Sequence, residues 1–274
     1  MTGSVPTRDE PPSVQSKHPV SWADLAAEAT AIVAGAGHAG VTLRVIGSAG
    51  IRLHCSAPGE LMDLLGRPAK DIDLVVPDKH RKGMRRFLES RGYVTDRDLL
   101  IAMEGRRYSF THAENGTEID VFVERLEFCH TVEVRSLLDR HPVTIPVEEL
   151  MLAKLQIVEM TVTDVMDVAV LLATHPVRDD DVGPEGTDGG HIARLLAGDW
   201  GFHHTATRNL RRVAAMAGPP IGLGAEASAR VQAGERRLLE LIDAAPKTAR
   251  WRMRDKIGER MQWWQDVDEK EATY

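Results

Sequence analysis

The sequence predicts an α+β fold, with a mixed β-sheet flanked by helices over residues 21–146 and an all-helical domain over residues 147–274. Three observations carry that prediction. Short alternating strands interleave with helical stretches up to Pro146, and beyond it the apolar residues recur at helical spacing. Between the two alternating segments 107–112 and 117–124 stands Glu114-Asn115-Gly116, and Asn-Gly is the strongest short hairpin signal.

The elements follow in order. Residues 1–20 hold Pro6, Pro11, Pro12 and Pro19 among polar neighbours and read as a disordered leader. Trp22, Leu25, Ala26, Ile32 and Val33 are spaced for an amphipathic helix over 21–37, with Ser21 as N-cap ahead of an acidic first turn. A strand at 42–46 ends on Gly47-Ser48, and a helical segment follows that breaks near Pro58-Gly59. Residues 71–76 form a second strand closed by Pro77. A basic helix at 78–91 takes Asp78 as cap and Gly92 as terminator. After the hairpin, Val143, Thr144 and Ile145 predict one more short strand before Pro146. The second half reads as helices at 147–158, 162–173, 191–216, 225–243 and 247–266, with a flexible Asp-, Gly- and Pro-rich loop at 176–190. There is no internal repeat.

Composition bounds the function classes. A chain of 274 residues with 43% hydrophobic and 27% charged residues is ordinary for a soluble globular protein. No apolar run approaches the ~20 residues a membrane span needs. The N-terminus lacks a signal-peptide layout, so a cytoplasmic location is the expectation. Cys55 and Cys129 stand in no metal-ligand spacing, nor do His203-His204 or Cys129-His130 with any other ligand. The net charge of −7 argues against broad nucleic-acid binding. One basic run, Lys79, His80, Arg81, Lys82, Arg85 and Arg86, reads as a solvated helix face or as a landing site for phosphates. Trp200, Trp251, Trp263 and Trp264 are expected to pack the helical half.

The chemistry gathers around Asp71 and Asp73. In a strand, residues i and i+2 share a face, so two carboxylates project together while Ile72, Leu74 and Val76 point the other way. Like charges that close repel and lose solvation, which calls for a cation; a hard divalent ion with oxygen ligands suits them. On the hairpin, Ile119, Val121 and Val123 alternate with Asp120 and Phe122, so Asp120 joins the same acidic face if the two strands are neighbours. Three carboxylates can hold two metal ions, and Asp120 could also assist as general base. Gly47-Ser48, between a strand and a helix, lets the backbone approach a ligand and offers helix N–H groups and a hydroxyl to phosphate.

The order Ile46-Gly47-Ser48, Asp71-Ile72-Asp73 and then Asp120 resembles the DNA polymerase beta-type nucleotidyltransferase superfamily. The stretch from Val147 to Leu155, followed by Thr163 to Val168 and Leu171, resembles its AbiEii-type branch, the toxins of type IV toxin–antitoxin systems and their mycobacterial relatives. Together the resemblances cover about residues 42–174. They imply a nucleotidyltransferase-type sheet and a two-metal site for Mg²⁺, or Mn²⁺, on Asp71, Asp73 and Asp120. A nucleoside triphosphate would be the co-substrate, held by Gly47, Ser48 and Lys154. Lys154 matches the branch's triphosphate-contacting lysine, and its acidic partner on the next helix is Asp164 or, second, Asp167. The acceptor hydroxyl is left open among RNA or tRNA, protein and a small molecule of the antibiotic type. A cognate antitoxin would be a partner, a membrane would not, and a catalytically idle nucleotide-binding module is the competing reading. Two positions depart from the branch: Ser48 stands where a second glycine is common, and Ala69 where a serine is.

Overall fold

The computed structural model describes residues 21–55, 59–179 and 186–266; the expected leader at 1–20 and the break at Pro58 lie outside the described residues. The first described element is helix α1 (Trp22–His38). Ser21 caps it by accepting a hydrogen bond from the Asp24 amide, and Leu25, Ala29, Ile32, Val33 and Ala36 bury one face.

Next come strand β1 (Arg44–Ile46), helices α2 (Gly47–His54) and α3 (Gly59–Leu64), and strand β2 (Ile72–Val76). A 3₁₀ turn at Asp78–His80 leads into α4 (Arg81–Ser90). Asp78 therefore lies inside the turn, whose cap is Pro77, and no side chain caps it. Strand β3 (Tyr93–Thr95) and helix α5 (Arg97–Ala102) follow, and then the hairpin β4 (Arg107–His112) and β5 (Glu118–Val123). Gly116 adopts φ 71°, the left-handed conformation its turn requires.

These strands form one mixed sheet in the order β1-β2-β5-β4-β3, with β2 and β5 parallel and the other neighbours antiparallel. Every residue of β2 is buried, as befits a central strand covered on both faces. A small hairpin of β6 (Arg125–Glu127) and β7 (Thr131–Glu133) extends from β5. Residues 143–145 make no strand of their own: Thr144 forms an isolated parallel bridge to Val45. Beside that bridge, the Val45 amide donates to the Val143 carbonyl at 2.8 Å.

The rest is helical except for one short pair of strands. Helices α6 (Val147–Leu155), α7 (Val162–Thr174), α8 (Gly189–Gly198), α9 (Trp200–Met216) and α10 (Ala225–Ala244) pack around α7 and α10, and α11 (Ala249–Asp255) lies against α8 and α9. The expected loop at 176–190 instead contains a two-residue parallel pair, β8 (Val177–Arg178) and β9 (Thr187–Asp188), and gives way to α8 at Gly189. The expected helix at 191–216 is two helices, because the Asp199 side chain caps α9 by accepting from the Phe202 amide. The expected helix at 247–266 ends at Asp255. A 3₁₀ turn at Gly258–Arg260 follows it, and Trp263 and Trp264 lie in irregular backbone beyond.

Candidate active site

Strand pairing brings the aspartates together. In the parallel register of β2 and β5, Asp73 lies directly opposite Asp120, and Asp71 sits two residues ahead of Asp73. Opposite residues of neighbouring strands share a face, so Asp71, Asp73 and Asp120 form one acidic patch. Asp71 and Asp73 are buried, whereas Asp120 is partly exposed. Burial away from water, then the charges of Asp71 and Asp120, push the Asp73 carboxyl up to about 8. The Asp71 carboxyl is raised too, first by burial; Lys70 opposes that shift, and Asp120 and Glu118 add to it.

Gly47 is positioned by the same geometry. It begins α2 directly after β1, with φ 62°, and Ile46 pairs with Asp73 across the antiparallel β1–β2 ladder. A Cβ on Gly47 would stand 2.0 Å from Asp73 Oδ2, an impossible approach. Only glycine lets the first turn of α2 lie against that carboxylate. No side chain caps this end of α2, and Ser48 beside it is buried.

Two carboxylate oxygens of the acidic patch are left without partners. Asp73 Oδ1 and Asp120 Oδ1 are buried without a hydrogen-bond partner. Asp120 commits its other oxygen, Oδ2, to the Arg107 guanidinium at 2.8 Å, and Lys70 Nζ lies 3.7 Å from Asp71 Oδ2. Among the described residues, no three His, Cys, Asp or Glu side chains are arranged to hold a metal ion. Asp71, Asp73 and Asp120 are suitable in chemistry for a hard cation, and Asp120 could offer Oδ1 while Oδ2 stays with Arg107.

Lys154, on α6, is not a lone cation awaiting an anion. Its ammonium donates to Asp164 Oδ1 at 2.9 Å and pairs with Asp167 Oδ2 at 3.1 Å, both on α7. Burial alone would lower its proton affinity, but Asp167 and Asp164 outweigh burial and hold it above the ordinary lysine range. Asp164 also completes the capping box of α7, where its Oδ2 accepts from the Thr161 amide at 2.9 Å. Asp167 in turn takes two bonds from Arg67, at 2.9 and 3.1 Å. The four side chains form a buried, charge-balanced network. It secures the loop ahead of Asp71, where the Arg67 carbonyl also accepts from the Trp22 indole.

Gly47, Asp73, Lys154 and Asp164 line one cavity of about 360 Å³; Ser48, Asp71 and Asp120 are not among its lining residues. Its remaining wall is mostly apolar: Phe122, Leu126, Phe128, Ala153, Ile157, Val158 and Trp264. Trp264 thus corrects the expectation that all four tryptophans only pack the helical half. The basic stretch stands elsewhere, since α4 leaves the opposite end of β2 from Asp71. Two of its arginines pair locally, Arg81 with Asp78 at 3.5 Å and Arg85 with Glu89 at 3.3 Å.

Sequence reasoning missed Arg107, Arg67 and Trp264. Arg107 was within reach: counting back from the hairpin puts Ser109 opposite Asp120 and Arg107 two residues farther on the same face. Arg67 carries no local signal, because its partner is 100 residues away.

Comparison with known proteins adds little to this geometry. No family model and no curated protein matches the chain. Among solved structures, it is similar to an antigenic nucleotidyltransferase-like protein from Paracoccidioides brasiliensis, with 13% identity and a TM-score of 0.42. The alignment covers 85% of this chain and 98% of that one, and a likeness so distant assigns no activity.

Proposed function

We propose that this protein transfers a nucleoside monophosphate from a nucleoside triphosphate to an acceptor hydroxyl, with release of pyrophosphate. The observation that carries the reading is the register pairing of Asp73 with Asp120, with Asp71 on the same face and two buried carboxylate oxygens lacking partners. Asp71, Asp73 and Asp120 would hold divalent cations of the Mg²⁺ type. Such ions, when bound, neutralise the phosphates and acidify the attacking hydroxyl.

The chain's own residues have separate tasks. Gly47 brings the uncapped start of α2 against Asp73, where backbone N–H groups can orient a phosphate. Lys154 contributes a positive field to the acidic face, since its charge opposes the raised carboxyl of Asp73. Because Asp164 and Asp167 already neutralise it, its first task is to position α6 against α7, and its contribution to phosphate binding is through that field. Arg107 is the counter-ion of Asp120, held on Oδ2, which leaves Oδ1 for a cation.

The acceptor belongs to the same proposal. The AbiEii-like stretch favours RNA or protein and, with it, a toxin neutralised by a cognate antitoxin; the net charge of −7 suits a small molecule better. No helix among the described residues is long and apolar enough to cross a membrane. The test is incubation with each labelled triphosphate and Mg²⁺, scored for pyrophosphate and for label on tRNA, protein or a small acceptor. Asp71→Ala and Asp73→Ala should each abolish labelling. Unchanged labelling in either variant would refute the assignment.

A further inference from the structure

The last described residues of the chain, 261–266, return from the helical half and reach the candidate site. Several contacts fix their course. The Gln265 amide donates to the Cys129 carbonyl at 3.0 Å, which ties the segment to the loop between β6 and β7. The Trp263 indole donates to Thr205 Oγ1 at 3.1 Å, and its ring meets Trp200 and His204 edge-on. Arg254 donates to the Met261 carbonyl at 2.6 Å.

Gly201 on α9 is shaped for this passage. A Cβ there would lie 2.5 Å from the Trp263 carbonyl oxygen, so the strap fits only over a bare backbone. What the strap delivers is Trp264, Gln265 and Asp266, all three of which line the cavity that holds Asp73 and Lys154. Asp266 is steadied by Gln262, whose amide donates to it at 3.0 Å.

The geometry points to a nucleobase-binding wall built by this C-terminal strap, with Trp264 as the side chain that stacks on the ring. The inference rests on the reading that the acidic end of the cavity takes the phosphates of a nucleoside triphosphate. The occupant follows from continuity and chemistry. One cavity is lined both by the charged Asp73 and Lys154 and by three aromatic rings, Phe122, Phe128 and Trp264. Phe122 and Phe128 already pack edge to face, with centroids 5.5 Å apart, so one aromatic wall is set before any ligand arrives. At the rim, Glu159, Gln265 and Asp266 supply donors and acceptors suited to the polar edge of a base. A molecule with phosphates at one end and a flat, polar-edged ring at the other matches both halves. About 360 Å³ lies in the range of small-ligand pockets.

Adenosine, guanosine, cytidine and uridine, titrated without metal and followed by calorimetry and saturation-transfer NMR, test this wall apart from the acidic site. At least one nucleoside should bind the full-length protein. Trp264→Ala should weaken it about tenfold or more, the loss of one base–aromatic stack. Trp264→Phe should stay within about threefold of the parent. Gly201→Ala should weaken binding like Trp264→Ala while α9 stays folded, because alanine is the better helix former. Equal nucleoside affinity in Trp264→Ala and the parent overturns the proposal, and so does failure of the parent to bind any nucleoside. Failure here with Mg²⁺-dependent transfer intact removes the wall alone; loss of transfer with nucleoside binding intact removes the metal-site reading alone.

Discussion

Gly47→Ala is the substitution whose cost the structure specifies most fully. Two penalties combine. At φ 62° a Cβ faces left-handed backbone strain of about 1–2 kcal/mol. The same Cβ stands 2.0 Å from Asp73 Oδ2 and 3.1 Å from Asp73 Cβ, so the carboxylate must leave its rotamer, at a further ~0.5–1.5 kcal/mol. The expected loss is about 1.5–3.5 kcal/mol. Gly40→Ala is the internal control, because Gly40 has φ 73° but open space around a Cβ and should show the backbone term alone. Urea unfolding of both variants isolates the collision as their difference. Repeating Gly47→Ala in an Asp73→Ala background should bring its cost down toward that of Gly40→Ala, with only the 3.1 Å approach to the Cβ of residue 73 left. If Gly47→Ala and Gly40→Ala cost the same in the parent chain, the close approach of α2 to Asp73 is wrong. A backbone phosphate cradle at the start of α2 is then ruled out as well.

Other outcomes follow from the buried network and the histidines. Lys154→Met leaves Asp164 and Asp167 short of a cation and should cost about 3–5 kcal/mol by denaturant unfolding; a variant as stable as the parent would show that the network is solvated. His54 and His130 are each depressed by burial to about 4, so the folded protein keeps them neutral while the unfolded chain takes up protons below its ordinary value near 6.5. Their contribution is therefore complete above pH 6.5 and lost as pH falls toward 4, by up to about 3 kcal/mol each. His130→Phe, which keeps the stack on Phe202, should flatten stability against pH in that window; an unchanged slope assigns the acid lability elsewhere. Mg²⁺ should raise the melting temperature of the parent in the presence of a triphosphate and leave that of Asp73→Asn unmoved, as differential scanning fluorimetry would register.

Local rules account for much of the first half of the chain. Ser21 capping α1, the turn at Asn115-Gly116, the apolar alternation of β2 and the helices on either side of Met160 are all set by residues within a few positions of one another. So is the pairing of Asp71 with Asp73 on one face, which is a property of any extended strand. Where local and tertiary demands diverge, the sequence misleads. Val143, Thr144 and Ile145 are good strand formers, yet they gain only a single bridge to β1. Residues 256–266 carry helical spacing, but the segment runs irregularly across Gly201 and along Cys129.

The sequence by itself determined that two aspartates share a strand face, that a third carboxylate alternates correctly on the hairpin, and that a glycine stands between β1 and α2. Tertiary structure alone decided that Asp120 lies opposite Asp73, because parallel register is set by packing between strands and not by either strand. It also decided that Arg107 holds Asp120, that Lys154 is neutralised by two aspartates, and that Trp264 returns to the cavity beside Asp73. Each of those depends on charges or rings brought together across long loops, where burial strengthens an interaction that spacing along the chain cannot reveal.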